Sequence, residues 1–156
     1  MAIESTPWLS ALRGVLLASA AGHLAWETVQ LPLYTIWAEG PLSEIVFAVL
    51  HCTGGDLLIT IWTLVAALLV FGRYWPGDWT AYRNVMITVL VLGVSYTIFS
   101  EWLNVSVRGA WTYSPWMPRL PPFGTGLTPL LQWIVIPAAA FLWVWRRVAR
   151  RQRHKS

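Results

Sequence analysis

Charge is scarce in this chain of 156 residues: 12% of positions are Asp, Glu, Lys or Arg, against about a quarter in an average soluble domain. A water-facing fold of this size has more surface than so few charges can clothe. Disorder is excluded from the other side, because 56% of residues are hydrophobic and such a chain collapses. Cysteine is nearly absent. The single Cys52 forms no internal disulfide, gives no sign of redox compartment, and reads as a core thiol. Several chemical signatures are missing as well. There is no HExxH, no CxxC, no paired Glu-x-x-His unit of a di-iron bundle, and no phosphate-loop or dinucleotide-binding glycine pattern. The glycines of PPFGTGL follow no strand and carry no basic cradle, so they read as loop. No internal repeat, low-complexity stretch or domain boundary interrupts the chain.

What is abundant points to a bilayer. Mean hydropathy is +0.54. Twelve Trp and five Tyr suit the headgroup level of a membrane, where an apolar ring carries a polar edge. Four apolar segments are expected to be helical, at about residues 9–37, 44–71, 85–103 and 127–148, each long enough to cross roughly 30 Å of hydrocarbon. Pro32 is placed to bend or end the first. That segment does not read as a cleavable signal peptide: Glu4 and Pro7 precede Arg13, the apolar run is too long, and no small-residue cleavage site follows Ala18 to Ala21. The expected fold class is all-α, a single polytopic membrane domain over residues 1–156 with four transmembrane helices.

The basic residues set an expected orientation. Six of eleven follow Trp145: Arg146, Arg147, Arg150, Arg151, Arg153 and Lys155. A cluster directly after an apolar helix matches a cytoplasmic membrane flank rather than a nucleic-acid face, so no nucleic-acid partner is expected. With four crossings both termini are cytoplasmic, Arg13 lies near the entrance, and the loop holding Arg73 and Arg83 falls on the same side. The expected location is the cytoplasmic (inner) membrane. The connection 104–126 then lies outside. It carries Trp111, Tyr113, Trp116, Met117, Phe123 and the prolines Pro115, Pro118, Pro121 and Pro122, too many prolines for a helix and too many aromatics for a spacer, and is expected to form a structured cap.

Ionisable groups within the apolar segments carry the functional signal, since each costs several kcal/mol in hydrocarbon, on the order of magnitude known for membrane helices, unless paired, neutral or wet. His23 and Glu27, four residues apart, share a helix face. HCTGGD supplies His51, Cys52, Thr53 and Asp56, with Gly54 and Gly55 permitting close approach of a helix or flat ligand. His51 and Asp56 stand about 140° apart on an ideal helix, which disfavours a simple pair. Glu101 lies near the outer end of the third segment, with Asn104 and Arg108 beyond, and Gln132 is the polar group of the fourth. Each of these also serves as a polar lock between helices. Brought to similar depth, they predict a pocket in the outer half of the bundle. In it Glu27 and Glu101 form an acid/base pair tuned by His23, His51 and Asp56, while Gln132, Arg108, Trp111 and Tyr113 contact the ligand.

Three functional readings remain open at this point, and enzyme or not is undecided among them. The first is proton transfer, of isomerase or cyclase type, on a lipid, isoprenoid or quinone-like compound. The second is a nonenzymatic accessory or assembly subunit, its partner another membrane protein or a second copy of the chain. The third is metal or haem binding through His23 and His51, with Glu27, Asp56 or Glu101 as oxygen ligands. No motif names a cofactor. Membrane lipids are partners in all three.

Overall fold

The computed structural model describes residues 7–153, with side chains through residue 150. Five helices occur in the order α1 (Pro7–Gln30), α2 (Ile36–Glu39), α3 (Leu42–Phe71), α4 (Trp79–Glu101) and α5 (Leu127–Arg153). A π-helical turn, Trp102–Val107, extends α4. A two-residue hairpin pairs Arg119–Leu120 (β1) with Thr125–Gly126 (β2) just before α5. The four long helices form a ring in chain order: α1 packs against α3 and α5, and α4 packs against the same two. Gly14 faces Val144 and Gly22 faces Ile136, so α1 and α5 run antiparallel.

Each inward face is a stripe at four-residue spacing, the repeat that keeps side chains on one side of a helix. On α1 the buried positions are Ala11, Val15, Ser19 and His23, then Gln30. On α4 they are Ala81, Val85, Val89, Gly93, Thr97 and Glu101, with Tyr82 buried beside the stripe. Both stripes change character along their length, because apolar side chains fill one end of the bundle and polar ones the other. At the apolar end Val15, Leu64, Tyr82, Val85, Val89 and Phe141 form the core, and the Tyr82 hydroxyl donates to the Phe141 carbonyl at 2.8 Å. Between the two ends lies Trp133, whose ring occupies the space beside Gly93 and leaves no room there for a Cβ. Small residues allow such approach where helices meet without a hydrophobic driving force.

The protein is a membrane-embedded helical bundle, but the expected count of four spans is corrected. Among the described residues three helices are long and apolar enough to cross a bilayer: Leu42–Tyr74, Trp79–Val107 and Leu127–Arg150. Length is not what sets α1 apart, because its 24 residues extend about 36 Å. Its composition does, with Arg13, Ser19, His23, Glu27, Thr28 and Gln30 diluting the apolar run. The boundaries shift too. α1 ends at Gln30 rather than near residue 37, because Leu31–Leu33 with Pro32 tightens into a 3-10 turn before α2. α4 begins at Trp79 rather than 85, because the Asp78 carboxylate caps it by accepting the Ala81 N–H at 2.8 Å. α5 runs past residue 148, to Arg153. Of the basic tail, Arg146, Arg147 and Arg150 are exposed, while the side chains of Arg151 and Arg153 and all of Lys155 lie outside the described residues, as does Glu4.

The segment between α4 and α5 is tied to the α1–α3 connection through backbone. Thr35 N–H donates to the Thr112 carbonyl at 3.0 Å and Ser114 N–H to the Leu33 carbonyl at 2.9 Å. Tyr113 and Met117 are buried beneath it, whereas Trp116 and Phe123 face outward. Gly124, at φ 68°, supplies the left-handed residue of the hairpin turn.

Candidate functional site

Four helices contribute to the polar end, and the α5 residue Gln132 is its hub. The Gln132 side chain is 2% exposed. Its Nε2 stands 3.0 Å from His23 Nδ1, 2.9 Å from Glu27 Oε1 and 2.9 Å from Asp56 Oδ2. Its Oε1 accepts from Gln30 Nε2 at 3.3 Å, and the same Gln30 nitrogen donates to Glu27 Oε1 at 2.9 Å. Beside Gln132, Trp133 Nε1 donates to Asp56 Oδ1 at 3.2 Å, and its ring lies 5.1 Å from the His23 imidazole. One amide and one indole of α5 thus hold side chains from α1 and α3 in place.

An amide nitrogen carries two hydrogens, and three groups surround that of Gln132: two carboxylate oxygens and a ring nitrogen. Glu27 Oε1 also accepts from Gln30 Nε2, so the two Gln132 hydrogens suffice for the remaining pair, and His23 Nδ1 can accept or donate there according to its tautomer. His23 Nδ1 also stands 3.4 Å from Asp56 Oδ2. His23 is fully buried, and its Nε2 has no hydrogen-bond partner, so the ring's remaining polar atom is uncommitted.

Glu101, on α4, forms a second station. Its carboxylate accepts the Tyr113 hydroxyl in a short hydrogen bond, and that phenol in turn accepts the Gly126 N–H at 2.9 Å. Burial and the adjacent Glu101 carboxylate push the Tyr113 phenol above its ordinary range, which keeps it a donor. Tyr34 is pushed up by burial and then by Glu101 in the same way.

Both stations line one cleft of about 1350 Å³. Glu27, Gln30, Asp56, Glu101 and Gln132 form its polar wall, and Leu58, Trp62, Leu92 and Tyr96 of α3 and α4 form an apolar one. These four are exposed on the bundle's flank, so the cleft is open sideways between the two helices. Its volume exceeds the usual range for a compact metabolite, about 300–1,000 Å³.

The remaining sequence candidates fall in different surroundings. His51 lines the cleft but is exposed and stacks on Phe47, with ring centroids 5.3 Å apart. It does not join the Gln132 cluster, so the two histidines do not form a ligand pair. Among the described residues no group of three or more His, Cys, Asp and Glu side chains is arranged to hold a metal ion. Cys52 is half-buried at the cleft wall. Gly54 and Gly55 meet open space rather than a neighbouring helix, which corrects the expected close helix approach. Arg108 is exposed, and it lines the cleft with Trp111.

Sequence reasoning missed Gln30 and Trp133. Gln30 had a signal, since it follows Glu27 by three residues and continues the same face. Trp133 had none, because twelve tryptophans gave no way to single out the one whose N–H is needed inside. Comparison with family models, curated proteins and solved structures returned no match.

Proposed function

We propose that the protein binds an amphiphilic lipid, isoprenoid or quinone-like compound in the cleft and moves a proton on it. The observation that carries this reading is the Gln132 amide, which gathers the Glu27 and Asp56 carboxyl groups and the His23 ring at the polar wall of a cleft whose apolar lining is exposed on the bundle's flank. Glu27 and Asp56 meet on that one amide nitrogen, and two carboxyl groups held together favour sharing a proton, so this station is the acid. Glu101 already accepts a hydrogen bond from Tyr113, so it is the base. Addition of a proton from the acid station to one alkene carbon leaves positive charge on the other, and removal of a proton by Glu101 from the carbon beyond that cationic centre forms the new double bond, so the bond shifts with no redox partner. The positive charge that develops between these steps lies near the Trp62 and Trp133 rings, whose faces favour cations.

We also infer that α1 is embedded with the other three helices. Its polar groups Ser19, His23 and Gln30 are buried inside the bundle, while Leu9, Leu17, Leu24 and Val29 are exposed on its outer side. Its low hydropathy therefore reflects an inward lining. With four embedded helices the basic end faces the cytoplasm, and the cleft lies in the outer half of the bilayer.

The test is analysis of compounds that copurify with the protein from its own membrane. One hydrophobic species is expected with the wild type and lost from E27Q and E101Q, both checked for helicity. Incubated in D2O, the wild type should place deuterium on a carbon of that compound. Undiminished retention and exchange in both variants would sink the assignment.

A further inference from the structure

At the opposite end of the bundle a groove of about 230 Å³ runs between α1 and α5, with Arg13 on one lip and Arg147 on the other. It is separate from the cleft and shares no residue with it. Several observations give this groove a chemistry. Gly14 lets the two helices close together here; a Cβ on it would stand 2.9 Å from Val144 Cγ2. That approach puts both arginines on one narrow opening. The Arg147 guanidinium lies 3.7 Å from the Trp143 ring centroid, which fixes its plane before any ligand arrives. Among the described residues, neither arginine has a carboxylate within ion-pair distance. Arg146 and Arg150 are exposed one turn away or less, adding positive potential with no acidic neighbour on α5.

Below the arginines the surface turns apolar. Leu17 is 66% exposed and lies one turn from Arg13 on the same face of α1, with exposed Leu24 further along it. Trp143 and Val144 supply the α5 side. A charged mouth above an apolar seam is the cross-section of a lipid.

We propose that this groove binds an anionic phospholipid, its phosphodiester held between the Arg13 and Arg147 guanidiniums and one acyl chain lying along the α1–α5 seam over Leu17. Guanidinium forks match the paired oxygens of a phosphate. A zwitterionic headgroup is disfavoured because its own cation meets Arg146 and Arg150. Free phosphate is disfavoured because it leaves the apolar floor uncovered.

Native mass spectrometry of the full chain tests this with phosphatidylglycerol and phosphatidylcholine of identical acyl chains. The wild type should retain phosphatidylglycerol with about tenfold preference or more, as two juxtamembrane arginines predict. R13Q/R147Q should lose that preference, each single variant should lose part of it, and R83Q, which removes an equal charge elsewhere, should keep it. Phosphatidylglycerol should also raise the wild-type melting temperature more than that of either single variant, a readout available if the double variant folds poorly. Inorganic phosphate in large molar excess should not displace the lipid. Equal retention of both lipids, unaltered preference in the arginine variants, or displacement by inorganic phosphate would overturn the proposal.

Discussion

Tyr113 shows how one side chain couples the loop to the site. Its hydroxyl donates to Glu101 and accepts from Gly126, so a β2 backbone group and an α4 carboxylate are joined through a single oxygen. The neutral phenol is the form the fold holds, since burial and Glu101 raise it. An acid raised on folding contributes stability that is complete below its unfolded value, about 10 for tyrosine, and is lost as pH climbs beyond it. Melting of the detergent-solubilised wild type should therefore fall steeply above about pH 10. Y113F should start lower by about 1 kcal/mol near neutrality, the worth of a lost hydrogen bond, and decline less with alkali, retaining the part due to Tyr34. Parallel pH–melting curves for the two proteins would contradict this. At this scale the sequence spoke clearly where residues share a turn and poorly elsewhere. His23 and Glu27, four apart, do meet one partner, Gln132. For His51 and Asp56 helical geometry gives the angle between them but not which faces inward. The structure turns Asp56 toward α5 and His51 toward Phe47.

The helices are built as stripes that change from apolar to polar, and the change is marked by Gly93 and Trp133. Above this contact the inward groups include Val85 and Val89; beyond it they include Thr97 and Glu101. G93A should cost more than about 2 kcal/mol, because an overpacked methyl has no room against a buried ring. G54A faces open space and should leave stability unchanged or raise it by up to about 1 kcal/mol, through better helix propensity. Thermal melts of both variants decide the matter; equal loss in the two would mean that close packing at Gly93 is not what sets stability. Element existence could be read from apolar runs, but some ends could not. The aromatics around Asp78 suited an interfacial loop equally well, and only the Asp78 cap distinguishes a helix start. The α1 stripe was masked because average hydropathy counts inward polar groups as if they faced lipid.

Across the whole molecule the charges are sorted. Five of the seven acidic residues, Glu27, Glu39, Glu44, Asp56 and Glu101, line the cleft, whereas Arg146, Arg147 and Arg150 sit at the other end of α5. The sorting fits one orientation, and side-specific labelling checks it. In a C52S background, a membrane-impermeant thiol reagent added to intact cells should label Phe123→Cys. It should reach Trp8→Cys and Thr80→Cys only after the cells are opened. Labelling of Trp8→Cys together with Phe123→Cys in intact cells would place the start of α1 on the wrong side and remove the four-helix orientation.

If the proposed ligand occupies the cleft, the sideways opening between Leu58 and Trp62 on α3 and Leu92 and Tyr96 on α4 sets the medium from which it arrives. A compound dissolved in the hydrocarbon reaches the acidic wall without passing through water. Occupancy then follows its mole fraction in the surrounding lipid rather than its aqueous concentration. Diluting the bilayer with inert lipid at constant total ligand should empty the site, while diluting the buffer should leave it filled.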